Sequence, residues 1–161
     1  MSHPLIEQYA AAADKVAQAI RNLTPEDLQC VPDPAANVGK WSIQQVVIHL
    51  ADAEAAFADR IRRLIAEDDP ILYAWDENLF AQRLHYDRQS APDAAEMIRL
   101  SRNQTARILR AIDEAALSRK GRHSERGPVT LAESLEFATT HLDHHVKFIH
   151  DKRANMGKEM W

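Results

Sequence analysis

The sequence predicts an all-α protein, a four-helix bundle with a long crossover between its second and third helices. Four stretches place apolar residues three or four positions apart, which is the spacing of one face of an α-helix. Only four glycines occur among 161 residues, and this composition favours helices over a β fold with many turns. We predict one domain over residues 1–161, of which residues 152–161 form a loose C-terminal tail.

The first predicted helix runs from about Leu5 to Leu23, because its apolar residues follow helical spacing. A short helical turn comes next, since Thr24 is a favourable N-cap and Pro25 suits the first position of a helix. The segment from Val31 to Gly39 contains two prolines and a glycine, so we interpret it as a connector.

The second predicted helix runs from about Ser42, its N-cap, to Glu67. Two polar residues interrupt its apolar stripe: His49 lies on the flank and Glu54 near the centre. Taken singly, they fit an ordinary histidine at a helix edge and an acid that reaches solvent. Together on one helix they indicate a functional site, because buried polar groups need partners.

The crossover extends from Ile71 to Gln89 and contains a predicted short helix around Glu77–Leu84. A connection of this length in a compact domain is often functional. We expect Trp75, Asp76 and Asn78 to form the wall or lid of a pocket. The alternative is that this aromatic-rich segment only packs over the bundle.

The third predicted helix begins around Ser90, and its sequence indicates the following inward face: Met97, Leu100, Ser101, Gln104, Ile108, Ala111 and Ile112. Ser101 and Gln104 are polar on that face, so they line a cavity or form local hydrogen bonds. The polar residues from Leu117 to Gly127 predict a surface loop before the fourth helix.

The fourth predicted helix begins after Thr130, which forms a capping box with Glu133. It carries His141, His144 and His145, and residues 141 and 145 share its apolar face. A buried polar nitrogen without a partner costs about 1–3 kcal/mol, and one metal ion would satisfy both imidazoles. Alternatively, a chain with eight histidines contains this pair by chance.

Composition and charge narrow the possible functions. The net charge of −4 and the pI near 6.0 argue against nucleic-acid binding. No apolar run approaches the roughly 18 residues of a membrane span, and the N-terminus lacks the pattern of a signal peptide. The single cysteine, Cys30, cannot form an intramolecular disulfide, so we expect a reducing cytoplasm.

Three motifs together resemble a known family. Residues Lys40–Glu54 include a tryptophan-serine pair and place His49 in a His-Leu-x-x-x-Glu context. Residues His123–Leu131 resemble the family's lead into its fourth helix, and His141-x-x-x-His145 resembles its paired metal ligands. By these motifs the chain resembles the DinB-like superfamily of YfiT-like metal-dependent hydrolases and thiol transferases, in which Trp75-Asp76 also has a counterpart.

This resemblance implies one divalent ion, zinc or nickel, bound by His49, His141 and His145. Three protein ligands leave a coordination position open, as in catalytic zinc sites. The ion would activate water for hydrolysis, or a low-molecular-weight thiol such as bacillithiol, mycothiol or glutathione for transfer to a small-molecule substrate. We place His144 beside the ligands rather than among them, because His145 lies deeper in the apolar arc.

We expect the general base to lie outside the fourth helix. Leu142 occupies the position that glutamate has in the His-Glu-x-x-His protease signature, so Glu54 is our candidate. A different class of function is a non-catalytic bundle that binds a metal or a small molecule in a stress response. Related bundles often pair, so the resemblance also allows a homodimer.

Overall fold

The computed structural model describes residues 3–160, and helices dominate it. The helices are α1 (Pro4–Ala11), α2 (Lys15–Ala19), α3 (Pro25–Gln29), α4 (Ile43–Ala66), α5 (Glu77–Arg83), α6 (Ala91–Ala111) and α7 (Leu131–Asn155). Helix α4 packs against both α6 and α7, and α1 and α2 pack against the same two helices as the fourth member of the bundle. The predicted four-helix bundle is confirmed. No helix in this described part is long and apolar enough to span a membrane.

The two long helices that carry histidines begin where their caps predict. The Ser42 hydroxyl accepts a hydrogen bond from the Gln45 amide at the start of α4. The Thr130 hydroxyl accepts one from the Glu133 amide at the start of α7, and the Glu133 carboxylate bonds back to the Thr130 amide. These capping boxes satisfy amides that the first helical turn leaves without partners.

The first predicted helix is divided into α1 and α2 by a tight turn. Between them the backbone bonds shift to residues three apart, as from the Ala13 amide to the Ala10 carbonyl. The helix therefore tightens locally into 3₁₀ geometry. The apolar face continues across the turn, because Tyr9, Ala12 and Val16 are all buried.

The predicted surface loop from Leu117 to Gly127 is wrong, because part of it forms a strand in a small sheet. Strand β1 (Ile71–Leu72) pairs in parallel with β2 (Lys120–His123), and β2 pairs antiparallel with β3 (Gly127–Thr130). These strands carry no alternation of apolar and polar residues, so no local pattern indicates them. They form through pairing between the crossover and a distant hairpin.

Gly121 allows the close approach of β2 to the chain before β1. A Cβ atom at this position would lie 2.8 Å from the Pro70 carbonyl oxygen and 3.0 Å from the Leu64 side chain. A larger residue would therefore separate the two segments or displace the end of α4.

The predicted inward face of the third helix was assigned about one position away from the true one. Met97 and Leu100 are 46% and 55% exposed, and Gln104 is also exposed. The buried positions of α6 include Ile98 and Arg102 instead. The prediction assigned apolar residues to the inward face and therefore left Arg102 on the outward face, whereas the structure buries Arg102.

Arg102 and Glu54 form a buried ion pair that joins the helices of the bundle. The Arg102 Nε donates to Glu54 Oε2 at 2.8 Å, and both side chains are at most 2% exposed. Arg102 also donates to the carbonyl oxygens of Tyr9 and Ala138. The Tyr9 hydroxyl donates to Glu54 Oε1 at 2.6 Å, and the Ser101 hydroxyl donates to the same oxygen at 3.2 Å.

The predicted loose tail, residues 152–161, begins too early. Helix α7 continues to Asn155, and Lys152 and Arg153 are buried. The Arg153 guanidinium donates to the carbonyl oxygens of Ala19 and Lys158, so it joins the chain after α7 to the end of α2. The Ala19 carbonyl at the end of α2 attracts the Arg153 cation, and the Lys152 ammonium donates to the carbonyl oxygens of Val38 and Gly39 in the connector.

We predict that Arg102→Met lowers the free energy of unfolding by about 3–5 kcal/mol, because it leaves the Glu54 charge buried without its partner. Urea unfolding followed by circular dichroism measures the change. The matched control is Arg99→Met, which removes an exposed ion pair of the same helix and should change the stability much less. The double variant Arg102→Met/Glu54→Leu should recover part of the loss, and a fully stable single variant would contradict the prediction.

Candidate metal centre

The structure brings the three predicted ligand histidines together in the bundle. His49 lies on α4, and His141 and His145 lie one turn apart on α7. One ligand nitrogen from each residue lies within 4.8 Å of the other two. The Nε2 atoms of His49 and His141 are 3.4 Å apart. We refer to this group as the histidine cluster.

The imidazoles of the histidine cluster are in the form that binds metal. Burial, together with the neighbouring imidazoles of His145 and His141, lowers the pKa of His49 to about 3. Burial and the adjacent imidazoles likewise lower the pKa of His141 and that of His145 to about 4 each. Neutral imidazoles have a lone pair free for coordination. This donor set fits a divalent cation.

Aromatic rings surround the histidine cluster. The Trp41 and Trp75 ring centroids lie 5.2 Å and 5.5 Å from that of His49. Phe57 and Phe137 contact the His141 ring, with centroids 5.6 Å and 6.0 Å away. These rings fix the orientation of the imidazoles and limit access of water to them. Trp75 therefore packs beside the histidine cluster, and its role in the wall or lid of a pocket stays a prediction.

His49 is held mainly by packing. Its side chain is 1% exposed, and its Nδ1 has no hydrogen-bond partner among residues 3–160. Its Nε2 faces His141 and a carboxylate of the crossover. The nitrogen available to a ligand is therefore the one directed to the centre of the histidine cluster.

Glu77 was not predicted from the sequence, but its carboxylate lies beside the histidine cluster. Its Oε2 lies 3.8 Å from His49 Nε2, and its side chain is 55% exposed. It is the first residue of α5, and the sequence does not indicate which of two adjacent acids faces the bundle. Glu77 lines a cavity of about 200 Å³ together with Trp41, Asn78, His145, Phe148 and Lys152.

The prediction that Asp76 lines a pocket is corrected by its role at the start of α5. Its Oδ1 accepts hydrogen bonds from the backbone amides of Asn78 and Leu79, and the residue is exposed. Asp76 is thus the N-cap of α5, a position that aspartate favours. It holds the helix that carries Glu77 instead of contacting the histidine cluster itself.

Glu54 lies outside the histidine cluster, in the buried ion pair. Burial raises the pKa of its carboxyl, while the Arg102 guanidinium and the Tyr9 hydroxyl oppose that rise. Both carboxylate oxygens already accept hydrogen bonds. This environment is that of a structural ion pair, because both oxygens bond to groups of the bundle, and the role of Glu54 as a general base stays a prediction.

The other predicted pocket residues divide between two surroundings. His144 is exposed, and its ring packs against those of His145 and Phe148 at 5.3 Å and 4.8 Å, so it lies beside the histidine cluster. Ser101 donates to the Glu54 carboxylate, and Gln104 is exposed on α6. Neither of these two belongs to the cluster, because α6 turns Arg102 inward between them.

Comparison with known proteins identifies relatives whose names refer to metal-dependent hydrolases, and a solved structure with the same fold. The bacterial relatives include "Putative metal-dependent hydrolase OB0782" of Oceanobacillus iheyensis, 24% identical over 73% of this chain and 67% of that protein. "Putative metal-dependent hydrolase YfiT" of Bacillus subtilis is 23% identical over 89% of this chain and 79% of its own length.

A solved structure of YfiT shows the same architecture. It aligns with a TM-score of 0.85 at 21% identity, covering 95% of this chain and 86% of that chain, and it is described as "a probable metal-dependent hydrolase with an unusual four-helix bundle topology". The family model of the DinB superfamily matches residues 8–149. Since this match covers most of the sequence, the chain belongs to the DinB superfamily.

Proposed function

We propose that the protein is a metal-dependent enzyme in which His49, His141 and His145 hold one divalent cation, zinc or nickel. The observation that carries this proposal is the convergence of three neutral imidazoles within 4.8 Å of one another. The names of the relatives support it, because several are called metal-dependent hydrolases. A chain that used these histidines only for packing would have no reason to direct three ring nitrogens at one point.

Hydrolysis of a small-molecule substrate is the reaction that the relatives favour. When bound, a divalent cation at such a site lowers the pKa of water or of a thiol and polarises a carbonyl group. Three protein ligands leave room for the reacting group beside the cation. Transfer of a low-molecular-weight thiol uses the same chemistry and stays a prediction, as does the homodimer.

Glu77 has the position to accept the proton of the attacking water or thiol. Its carboxylate is the acid beside the histidine cluster, 3.8 Å from His49 Nε2, and its oxygens are free of the buried contacts that hold Glu54. A general base needs to reach the proton it accepts, and such contacts often tighten only when substrate binds. Trp41 and Trp75 pack on His49 and restrict water at the same place.

We predict that the untagged protein binds about one zinc or nickel ion per chain, and that His49→Ala and His141→Ala each abolish this binding. Each substitution removes one of three ligands, which leaves too few for a stable site. Native mass spectrometry after incubation with either metal measures the stoichiometry.

His144→Ala is the matched control for metal binding. It removes an imidazole from the same helix, next to the proposed ligand His145, but this ring lies outside the histidine cluster. Binding should remain at one ion per chain. A wild-type protein that binds neither metal would overturn the proposed function.

We further predict that Glu77→Gln lowers kcat/KM for hydrolysis of 4-nitrophenyl acetate by the metal-loaded protein by about 10²-fold or more, because general bases typically contribute that much. Its metal content should stay unchanged. Asp76→Asn is the matched control, since asparagine caps a helix as well as aspartate does, and it should retain the wild-type rate.

The same assay distinguishes whether Glu54 or Glu77 is the general base. A folded Glu54→Gln variant that loses activity, together with an active Glu77→Gln variant, would return the role of the base to Glu54. The metal content of each variant shows whether the loss arises from chemistry or from an empty site.

A further inference from the structure

A second cavity, of about 440 Å³, lies between α4, α7 and the small sheet. Its apolar wall includes Phe57, Leu72 and Phe137. This volume falls within the range of small-molecule sites, which combine an apolar lining with a few polar groups. The sheet that sequence patterns did not indicate supplies one side of it.

Two arginines contribute positive charge to this cavity. Arg60 reaches it from α4 and Arg126 from the turn between β2 and β3. The Arg126 guanidinium lies 3.8 Å from the centroid of the Phe137 ring, and Arg60 donates to the Tyr73 carbonyl oxygen at 2.5 Å. Both side chains are thus held at the cavity by contacts with a ring and a carbonyl oxygen, neither of which is a carboxylate.

No carboxylate within residues 3–160 forms an ion pair with these arginines, although the charges of Asp59 and Glu125 act on Arg60 from a greater distance and oppose the lowering of its pKa. Neither Arg60 nor Arg126 has a carboxylate oxygen within the 4.0 Å of an ion pair in that part of the chain. Glu133 also lines the cavity, but its carboxylate accepts hydrogen bonds at the cap of α7. Glu136 is exposed at the opening.

The charges of the two arginines act on each other and on a nearby histidine. Burial and the Arg126 charge lower the pKa of Arg60. Burial and both guanidinium groups lower the pKa of His123, which also lines the cavity. Two guanidinium groups placed close together repel each other, and an anion bound between them lowers that repulsion.

The cavity adjoins the proposed metal centre. Phe57 and Phe137 line the cavity, and both also contact the His141 ring. These two aromatic side chains therefore connect the apolar wall of the cavity with the histidine cluster. A ligand bound in the cavity lies beside the proposed reaction centre.

We propose that this cavity binds a small organic anion, in which a carboxylate or phosphate contacts Arg60 and Arg126 and an apolar body packs on Phe57 and Phe137. The cavity anchors the anionic end of the substrate, and this role as an anchor rests on the proposed function. The binding itself requires no metal. Guanidinium groups suit both anions because they form paired, charge-assisted hydrogen bonds.

Calorimetric titration of the chelator-treated protein tests the binding with three probes: 4-phenylbutyrate, phenyl phosphate and the neutral 4-phenyl-1-butanol. At least one of the two anions should bind at least about tenfold more tightly than the alcohol, because charge-assisted hydrogen bonds contribute that much. The tighter of the two anions identifies the preferred head group. Equal binding of all three probes, or no binding of either anion, overturns the proposal.

Substitutions of the two arginines test whether the anion binds in this cavity. Arg126→Gln and Arg60→Gln should each weaken binding of the anion about tenfold or more. Arg122→Gln is the matched control, since it removes the same charge from the same hairpin at an exposed residue paired with Asp69. It should bind as the wild-type protein does. Unchanged binding in both cavity variants contradicts the proposal.

Metal content measured on the same variants separates this inference from the proposed function. Arg126→Gln should still bind one zinc or nickel ion, because Arg126 lies outside the histidine cluster. If the protein binds metal but no anion, the proposed function stands and the proposal that the cavity anchors the substrate is overturned. If the protein binds the anions but no metal, the proposed anion site stands and the proposed metal-dependent function is overturned.

Discussion

The relative placement of the helices depends on the buried pair of Arg102 and Glu54. One guanidinium on α6 holds a carboxylate on α4 and the carbonyl oxygens of Tyr9 and Ala138, so it bonds to each of the other three members of the bundle. Ala138 lies one turn before His141. A buried ion pair contributes little net stability compared with apolar packing, but it penalises every arrangement that separates its partners. We interpret it as the contact that fixes α4 against α7, and thereby the spacing of the histidine cluster.

The histidine cluster and its surroundings come from elements of different rigidity. The three imidazoles lie on the two longest helices, whose side chains are fixed by packing in the core. Trp75 and Glu77 come from the crossover, and Arg126 comes from a hairpin turn. Sites gain precision when their central groups lie on rigid helices, whereas loops supply adaptable contacts. The protein thus places its proposed metal ligands on the scaffold, and it completes the proposed substrate contacts of Phe57, Arg60 and Phe137 on the same helices with Arg126 from a connecting segment.

Local signals predicted the part of the structure that local interactions determine. Capping residues and apolar spacing located α4 and α7, and the same spacing placed His141 and His145 on one face. The sheet was missed because Ile71 and Arg122 pair across a long separation in sequence, and no alternating pattern accompanies them. The inward face of α6 was misplaced because Arg102 is stabilised by groups on three other segments. Glu77 was missed because the orientation of α5 depends on how the crossover packs, which is not a property of its own residues.

The parallel pairing of β1 with β2 joins the crossover to the hairpin, so these two connections together border both cavities. Substitutions in them can change which molecules are accepted while the imidazoles stay in place on α4 and α7. The proposed base, Glu77, belongs to the crossover as well. A change of accepted substrate is therefore expected to alter the rate of reaction too, because both properties depend on how the crossover packs against the bundle.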